Sequence, residues 1–156
     1  MNALVGVDAT FDHVAIAGPN LLPLLTFYRD TLGGTFSHGE VLSVGAVVVT
    51  LLIPGGKLEL MAPTPDSCFL DKFLEGSAGR GGVHHLTFTV PDLAAAVSVL
   101  TTSGVALFGE SYDEHWSEVF VHPRHNGGVL LQLAQVGPQL MDHVNRDLDV
   151  LVAAAL

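Results

Sequence analysis

Cysteine, basic residues and long apolar runs are scarce in this sequence. Cys68 is the single cysteine of 156 residues, so no intramolecular disulfide can form and a reducing compartment suits the chain. Six basic residues stand against 16 acidic ones, giving a formal net charge of −10 that would repel nucleic acid. The C-terminal apolar run, residues 150–156, is too short to span a bilayer. We therefore expect a cytoplasmic protein that binds neither nucleic acid nor membrane.

Apolar residues, in contrast, are abundant. They make up 49% of the chain while charged residues make up 14%, a composition typical of a well-buried globular protein. A chain of 156 residues can bury a substantial core but is short for two ordinary domains. We expect one domain over residues 1–137 and a separate C-terminal helix over 138–156.

The domain contains a repeat whose first copy, module one, covers about residues 10–62. Periodicity predicts a strand at 11–17, and Pro19 and Asn20 then start a helix at 21–32 that ends at Gly33. Two strands follow, near 41–53 and 57–61. The segment Pro54-Gly55-Gly56 between them is typical of a tight hairpin turn.

The same order recurs in module two, about residues 82–136. A strand is predicted at 83–90, a helix from Asp92 to about Ser103 with Gly104 as its stop, and strands at 105–108, 119–122 and 129–134. The turn Asn126-Gly127-Gly128 matches the turn of module one. Each module therefore reads as a strand, a helix and a run of strands.

Four polar residues occupy equivalent positions in the two modules. His13 and Glu59 are 46 residues apart, His85 and Gln132 are 47 apart, and the two histidines are 72 apart. Each of the four faces away from its apolar strand neighbours, because side chains alternate between the two sides of a strand. His84 falls on the opposite side from His85, so we interpret it as a packed, hydrogen-bonded histidine.

Polar groups on apolar strands need partners or a metal, because burying them alone costs several kcal/mol. Two imidazoles, a carboxylate and an amide oxygen suit a divalent ion, namely Co, Mn, Ni, Fe or Zn. We therefore predict a metal site formed by His13, Glu59, His85 and Gln132. A small-molecule substrate is expected in the cleft that the two modules share.

The segment after Val136 lies outside both modules. Pro138 opens a predicted helix with an apolar stripe at helical spacing. The stripe either packs back onto the domain or covers a partner subunit in a homodimer. The pattern alone leaves both alternatives open.

Four segments resemble the signature segments of methylmalonyl-CoA epimerases, within the vicinal oxygen chelate superfamily: FDHVAIAGPNLLPLLTFYRDTLGG, KLELMAP, GVHHLTFTVPDL and VFVHPRHNGGVLLQLAQ. The resemblance covers roughly residues 11–135. It implies an α+β fold of two βαβββ modules in a cupped mixed sheet around a divalent metal, with His13, Glu59, His85 and Gln132 as its ligands. It also implies an acyl-CoA substrate and an isomerase that abstracts a proton α to a carbonyl.

The sequence departs from the family's pattern at the groups that transfer protons. Gln132 stands where the superfamily usually has Glu, and an amide cannot act as a base. The carboxylate that acts as base in the epimerases would fall near Val47 or Val48. We therefore expect the bases elsewhere: Glu59, His115 and Glu118 are the candidates, with Glu114 and His122 weaker ones.

Other functions are open on the same scaffold. A glyoxalase-like lyase or an isomerase of a natural-product intermediate would use the same metal site. A ring-cleaving dioxygenase is disfavoured, because those relatives carry a carboxylate at the position of Gln132. A non-catalytic protein that sequesters a drug or metabolite would generally lack the metal ligands, and that difference separates it from an enzyme.

Overall fold

The computed structural model describes residues 6–156, so the first five residues of the predicted domain lie outside the described residues. Module one consists of β1 (Thr10–Ala17), α1 (Leu21–Leu25), β2 (Thr35–Leu42), β3 (Ala46–Ile53) and β4 (Gly56–Pro63). A short helix, α2 (Asp71–Gly76), follows. Module two consists of β5 (Gly82–Thr89), α3 (Leu93–Thr102), β6 (Leu107–Ser111), β7 (Trp116–Val121) and β8 (Leu131–Val136), and α4 (Leu140–His143) and α5 (Leu148–Ala154) end the chain.

The sheet is mixed and its two halves have the same internal pairing. The strands are hydrogen-bonded in the order β2-β3-β4-β1-β5-β8-β7-β6. The first strand of each module runs parallel to the last, β1 with β4 and β5 with β8, whereas the pairs within each run of strands are antiparallel. The predicted α+β class with two βαβββ modules and a C-terminal helix is confirmed.

The chain divides into two compact units that correspond closely to the modules. One unit contains His13–His84 together with Val144–Leu156. The other contains His85–His143 and the segment that ends at Asp12. No helix among residues 6–156 is long and apolar enough to cross a membrane.

In the unit of module one, β3 is apolar along most of its length because both of its faces are covered. Val47, Val49 and Leu51 point towards α1 and α5 and form a core with Leu60. Residues of alternate parity on β3 point the other way and pack beside α2. That second cluster contains Ala17, Ala46, Val48, Met61 and Leu70.

In the unit of module two, α3 packs on the face of the sheet that carries Val119, Val121 and Leu133. The helix begins as predicted at Asp92, whose side chain accepts a hydrogen bond from the Ala95 amide at 2.9 Å. It ends before Gly104, which has a φ of +78° and so adopts a backbone conformation that suits glycine.

The C-terminal segment differs from the single helix that the sequence predicted. Asn145 interrupts it by forming a bridge to Gly39 of β2, with both backbone hydrogen bonds at 2.8 Å. The chain restarts as α5 at Asp147, whose side chain accepts from two amides of the first turn. Leu151 is fully buried in the core of module one, and Leu148, Val152 and Ala155 pack against that core. The α5 part of the apolar stripe therefore packs within the chain, whereas Met141 of α4 is 41% exposed.

Three elements were not predicted from the sequence: most of β2, the helix α2 and a short 3-10 helix at Pro123–His125. The predicted strand at 41–53 is divided between β2 and β3 by a turn that ends at Gly45, where φ is +87°. The short helix α2 lies between the modules. The predicted helix at 21–32 is present, but it continues beyond Leu25 as a π-helical turn over Thr26–Thr31.

Candidate metal centre

Two histidines occupy matching positions on the first strand of each module. His13 lies in β1 and is 6% exposed, and His85 lies in β5 and is 4% exposed. Burial alternates along both strands, so His13 shares its side with Ala15, and His85 shares its side with Thr87. An imidazole buried to this extent needs polar partners to offset the loss of water.

The side that carries the histidines is more buried than the sequence predicted. The alternation assigned it to the non-core face, yet Ala15 and Thr87 on that side are completely buried. The physical reason is the register, because Glu59 lies beside Ala15 and Gln132 lies beside Thr87 on the neighbouring strands. Thr87 is hydrogen-bonded to Gln132 on this side, and in module one the same side also carries the packed residues Ala17, Val48 and Met61.

Glu59 of β4 approaches His13 within the unit of module one. The distance between Nε2 of His13 and Oε2 of Glu59 is 3.7 Å, and both side chains are largely buried. Leu60 on the opposite side of β4 belongs to the core, so the predicted orientation of Glu59 is correct. A carboxylate and an imidazole at this distance can pair directly or bind one cation.

Gln132 of β8 sits in a chain of hydrogen bonds within the unit of module two. The hydroxyl of Thr87 donates to Oε1 of Gln132 at 2.7 Å. The amide Nε2 of Gln132 donates to Oε2 of Glu118 at 2.6 Å, and Nε1 of Trp116 donates to the same oxygen at 2.8 Å. Both ends of this buried amide are therefore satisfied.

The residues at the predicted site fit a divalent metal by the chemistry of their donors. In the unit of module one His13 and Glu59 each offer one ligand atom, and in the unit of module two His85 offers one. Two donors that each lie about 2.1 Å from one ion are at most about 4.2 Å apart, and the 3.7 Å between Nε2 of His13 and Oε2 of Glu59 is within that limit. Two imidazoles and a carboxylate suit the first-row transition metals.

The candidate bases have different surroundings. Glu118 contacts the predicted ligand Gln132 directly. The ring of His115 instead stacks on His143 of α4 with a centroid distance of 3.2 Å, and its Nε2 lies 3.2 Å from Glu114. His122 is exposed, and its Nδ1 accepts a hydrogen bond from the Arg124 amide.

The registers show that Glu118 and Val48 are equivalent positions of the two modules. Val48 of β3 pairs with Met61, which lies two residues after Glu59. Glu118 of β7 pairs with Ala134, which lies two residues after Gln132. The epimerases' carboxylate base was expected near Val48, where module one has an apolar residue. Module two has the carboxylate of Glu118 at the equivalent position.

Sequence reasoning did not identify Thr87 or Trp116 as part of the site. Thr87 could have been found, since it lies two residues after His85 and so shares its side of β5. The contact between Trp116 and Glu118 depends on a rotamer that no sequence pattern specifies. His84 is packed against an aromatic ring, since the centroids of its ring and that of Phe73 are 4.9 Å apart. Burial lowers the pKa of its imidazole.

Known proteins are similar to this chain in sequence and in fold. The family model described as the Glyoxalase/Bleomycin resistance protein/Dioxygenase superfamily matches residues 12–120. An ethylmalonyl-CoA/methylmalonyl-CoA epimerase of Cereibacter sphaeroides is 33% identical over 130 residues, which cover 80% of this chain and 96% of the relative. The chain therefore belongs to the glyoxalase, bleomycin resistance protein and dioxygenase superfamily, the vicinal oxygen chelate proteins.

Within that superfamily the chain is similar to methylmalonyl-CoA epimerases. The crystal structure of methylmalonyl-CoA epimerase from Mycobacterium tuberculosis has a TM-score of 0.74 and 32% identity, and the match covers 91% of this chain and 97% of the other. A methylmalonyl-CoA epimerase in complex with methylmalonyl-CoA and NH4+ has a TM-score of 0.70 and 30% identity, over 83% and 96% of the two chains. The sequence prediction of an epimerase-like member is confirmed.

Proposed function

We propose that the protein is a metal-dependent epimerase that abstracts and returns a proton α to the carbonyl of a small acyl-CoA thioester of the methylmalonyl-CoA type. The observation that carries this proposal is the pair of His13 and Glu59, 3.7 Å apart in module one, with the buried His85 and Gln132 at the equivalent positions of module two. The chain that carries these residues is similar to methylmalonyl-CoA epimerases over four fifths of its length. Sequence predictions of a homodimer and a cytoplasmic location remain predictions.

In this proposal His13, Glu59, His85 and Gln132 hold one divalent ion of Co, Mn, Ni, Fe or Zn. The bound ion would supply positive charge that polarises the thioester carbonyl and so acidifies the neighbouring C–H group. The four side chains fix the position of that charge. Their burial keeps water away and strengthens every electrostatic interaction within the site.

We assign the first proton transfer to Glu118. Its Oε2 receives hydrogen bonds from Trp116 and Gln132, and no described residue hydrogen-bonds its Oε1. Oε1 is therefore the oxygen that would take the α-proton. Return of a proton to the opposite side of the substrate needs a second group, for which Glu59 and His115 are the candidates.

The proposal predicts metal-dependent exchange at the α-carbon. The protein is purified without chelators, its metal content is measured, and it is then depleted and reloaded with each of the five metals. Incubation with methylmalonyl-CoA in deuterated water should give an α-deuterated product, detected by mass spectrometry. Exchange should be lost on depletion, and it should fall about 100-fold or more in Glu118→Gln, because an amide cannot accept the proton.

Glu75 provides the matched control, since it is exposed in α2, is not a candidate base, and Glu75→Gln removes the same charge. That variant should exchange at the rate of the unmodified protein. Absence of exchange with all five metals would reject this substrate and mechanism. A protein that contains no metal but still binds small organic ligands would instead support sequestration.

A further inference from the structure

We propose that Thr87 and Glu118 hold the amide of Gln132 in one orientation, so that its oxygen rather than its nitrogen is available as a metal ligand. This inference rests on the metal site of the proposed function. It adds a role for Thr87, which lies in the segment GVHHLTFTVPDL but was not predicted to belong to the site. Thr87 would act as a positioning residue.

An amide ligand poses a problem that a carboxylate ligand does not. The two oxygens of a carboxylate are equivalent, so either can bind a cation. The two ends of an amide have nearly the same shape, but Oε1 is an acceptor and Nε2 carries two protons. Rotation of the Gln132 amide by half a turn would direct protons towards the ion.

Glu118 opposes that rotation. An ionised carboxylate only accepts hydrogen bonds, so it can pair with Nε2 of Gln132 and not with Oε1. In the rotated amide two acceptor oxygens would meet where Nε2 and Oε2 now lie 2.6 Å apart. Trp116, which can only donate, binds the same oxygen of Glu118 at 2.8 Å and keeps the carboxylate in place.

Thr87 acts at the other end of the amide. Its hydroxyl donates to Oε1 of Gln132 at 2.7 Å, and the two residues are directly paired between β5 and β8. A carbonyl oxygen has two lone pairs, so this hydrogen bond leaves one for a cation. Because Thr87 is completely buried, water cannot readily replace its hydroxyl.

Module one serves as an internal comparison. Its ligand at the equivalent position is Glu59, a carboxylate that needs no orientation. The residue paired with Glu59 is Ala15, which has no hydroxyl, and the counterpart of Glu118 is the apolar Val48. Both orienting groups are present only in the module whose ligand is an amide.

The test compares two substitutions of Thr87, one that removes its hydrogen bond and one that reduces its packing. Thr87→Val keeps the shape and removes the hydroxyl, whereas Thr87→Ser keeps the hydroxyl and removes a methyl group. Binding of Co(II) to the metal-depleted protein is measured by titration, with the visible spectrum of the bound ion as a second readout. Gln132→Leu reports the contribution of the ligand itself.

We expect Thr87→Val to bind Co(II) about 10- to 100-fold more weakly with an altered spectrum, in the direction of Gln132→Leu. Thr87→Ser should keep the affinity and the spectrum. Thr89→Val is the control, because it removes a hydroxyl from the same strand, and that hydroxyl donates to the Thr10 carbonyl instead of to Gln132. It should leave the Co(II) affinity and the spectrum unchanged.

Other outcomes separate this inference from the proposed function. If Gln132→Leu weakens binding but Thr87→Val does not, the metal site stands and the positioning role is wrong. If Thr87→Ser is the more damaging substitution, Thr87 serves packing and the inference is also wrong. If Gln132→Leu binds Co(II) as the unmodified protein does, the fourth ligand of the proposed site is wrong, and the inference fails with it.

Discussion

At the scale of single residues, the site is distinguished by an amide and a carboxylate in direct hydrogen-bond contact. Gln132 stands where the superfamily usually has Glu, and Glu118 lies in hydrogen-bond contact with it. A carboxylate pair at these two positions would be unfavourable, because like charges at close range disfavour ionisation of both groups. The amide at 132 is therefore compatible with the carboxylate at 118.

This compatibility predicts the effect of restoring the usual residue. Gln132→Glu should lower the free energy of unfolding of the metal-free protein by about 1–3 kcal/mol, because Glu118 loses a donor and faces a second acceptor. The double variant Gln132→Glu with Glu118→Gln recreates a donor–acceptor pair and should recover most of that loss. Urea unfolding of the single and double variants measures the coupling, and additive effects would contradict the argument.

At the scale of helices and strands, the sequence predicted the elements that carry the ligands better than those that surround them. The strands bearing His13 and His85 alternate clearly, so their side chains could be assigned to faces before the fold was known. The contact between Gln132 and Glu118 was not predictable, because it depends on the pairing of β7 with β8. Most of β2, residues 35–40, was not predicted, and its last two residues were assigned to the same strand as β3 because apolar residues such as Val44 continue through the turn between them.

The packing of the C-terminal segment was also not predictable from the sequence. Its apolar stripe was recognised, but the stripe could not indicate which surface it would cover. Gly39 decides this, since a side chain there would collide with Leu151 and with the backbone of Val48. The bridge from Asn145 to Gly39 also interrupts the helix, and a pairing between distant residues leaves no local sequence signal.

Helix α5 should therefore contribute to the stability of module one. Leu151→Ala removes a fully buried side chain from the core and should lower the free energy of unfolding by about 2–5 kcal/mol. Leu156→Ala is the matched control, because Leu156 is 71% exposed, and it should change stability by less than about 0.5 kcal/mol. Equal effects of the two substitutions in urea unfolding would show that α5 does not stabilise this core.

At the scale of the whole molecule, two modules of one architecture carry different chemistry at equivalent positions. The proposed ligand of module one is the carboxylate of Glu59, with Ala15 and Val48 at the positions beside it, and the proposed ligand of module two is the amide of Gln132 beside a carboxylate and a hydroxyl. In this proposal the repeat provides the scaffold, and the asymmetry provides distinct groups for metal binding and for proton transfer. We propose that, as a consequence, the base that removes the α-proton is Glu118 of module two.

The net charge of −10 gives a prediction at this scale, because the proposed acyl-CoA substrate is also anionic. Repulsion between like charges slows their encounter, and salt screens it over about 10 Å at 0.1 M. The ratio kcat/KM should therefore rise about twofold between 10 and 200 mM NaCl. A thioester of pantetheine, which lacks the phosphates of CoA, should show less dependence on salt. A fall of kcat/KM with salt would instead show that local cations such as Lys72 and Arg80 dominate the encounter, and Lys72→Gln with Arg80→Gln should then abolish the fall.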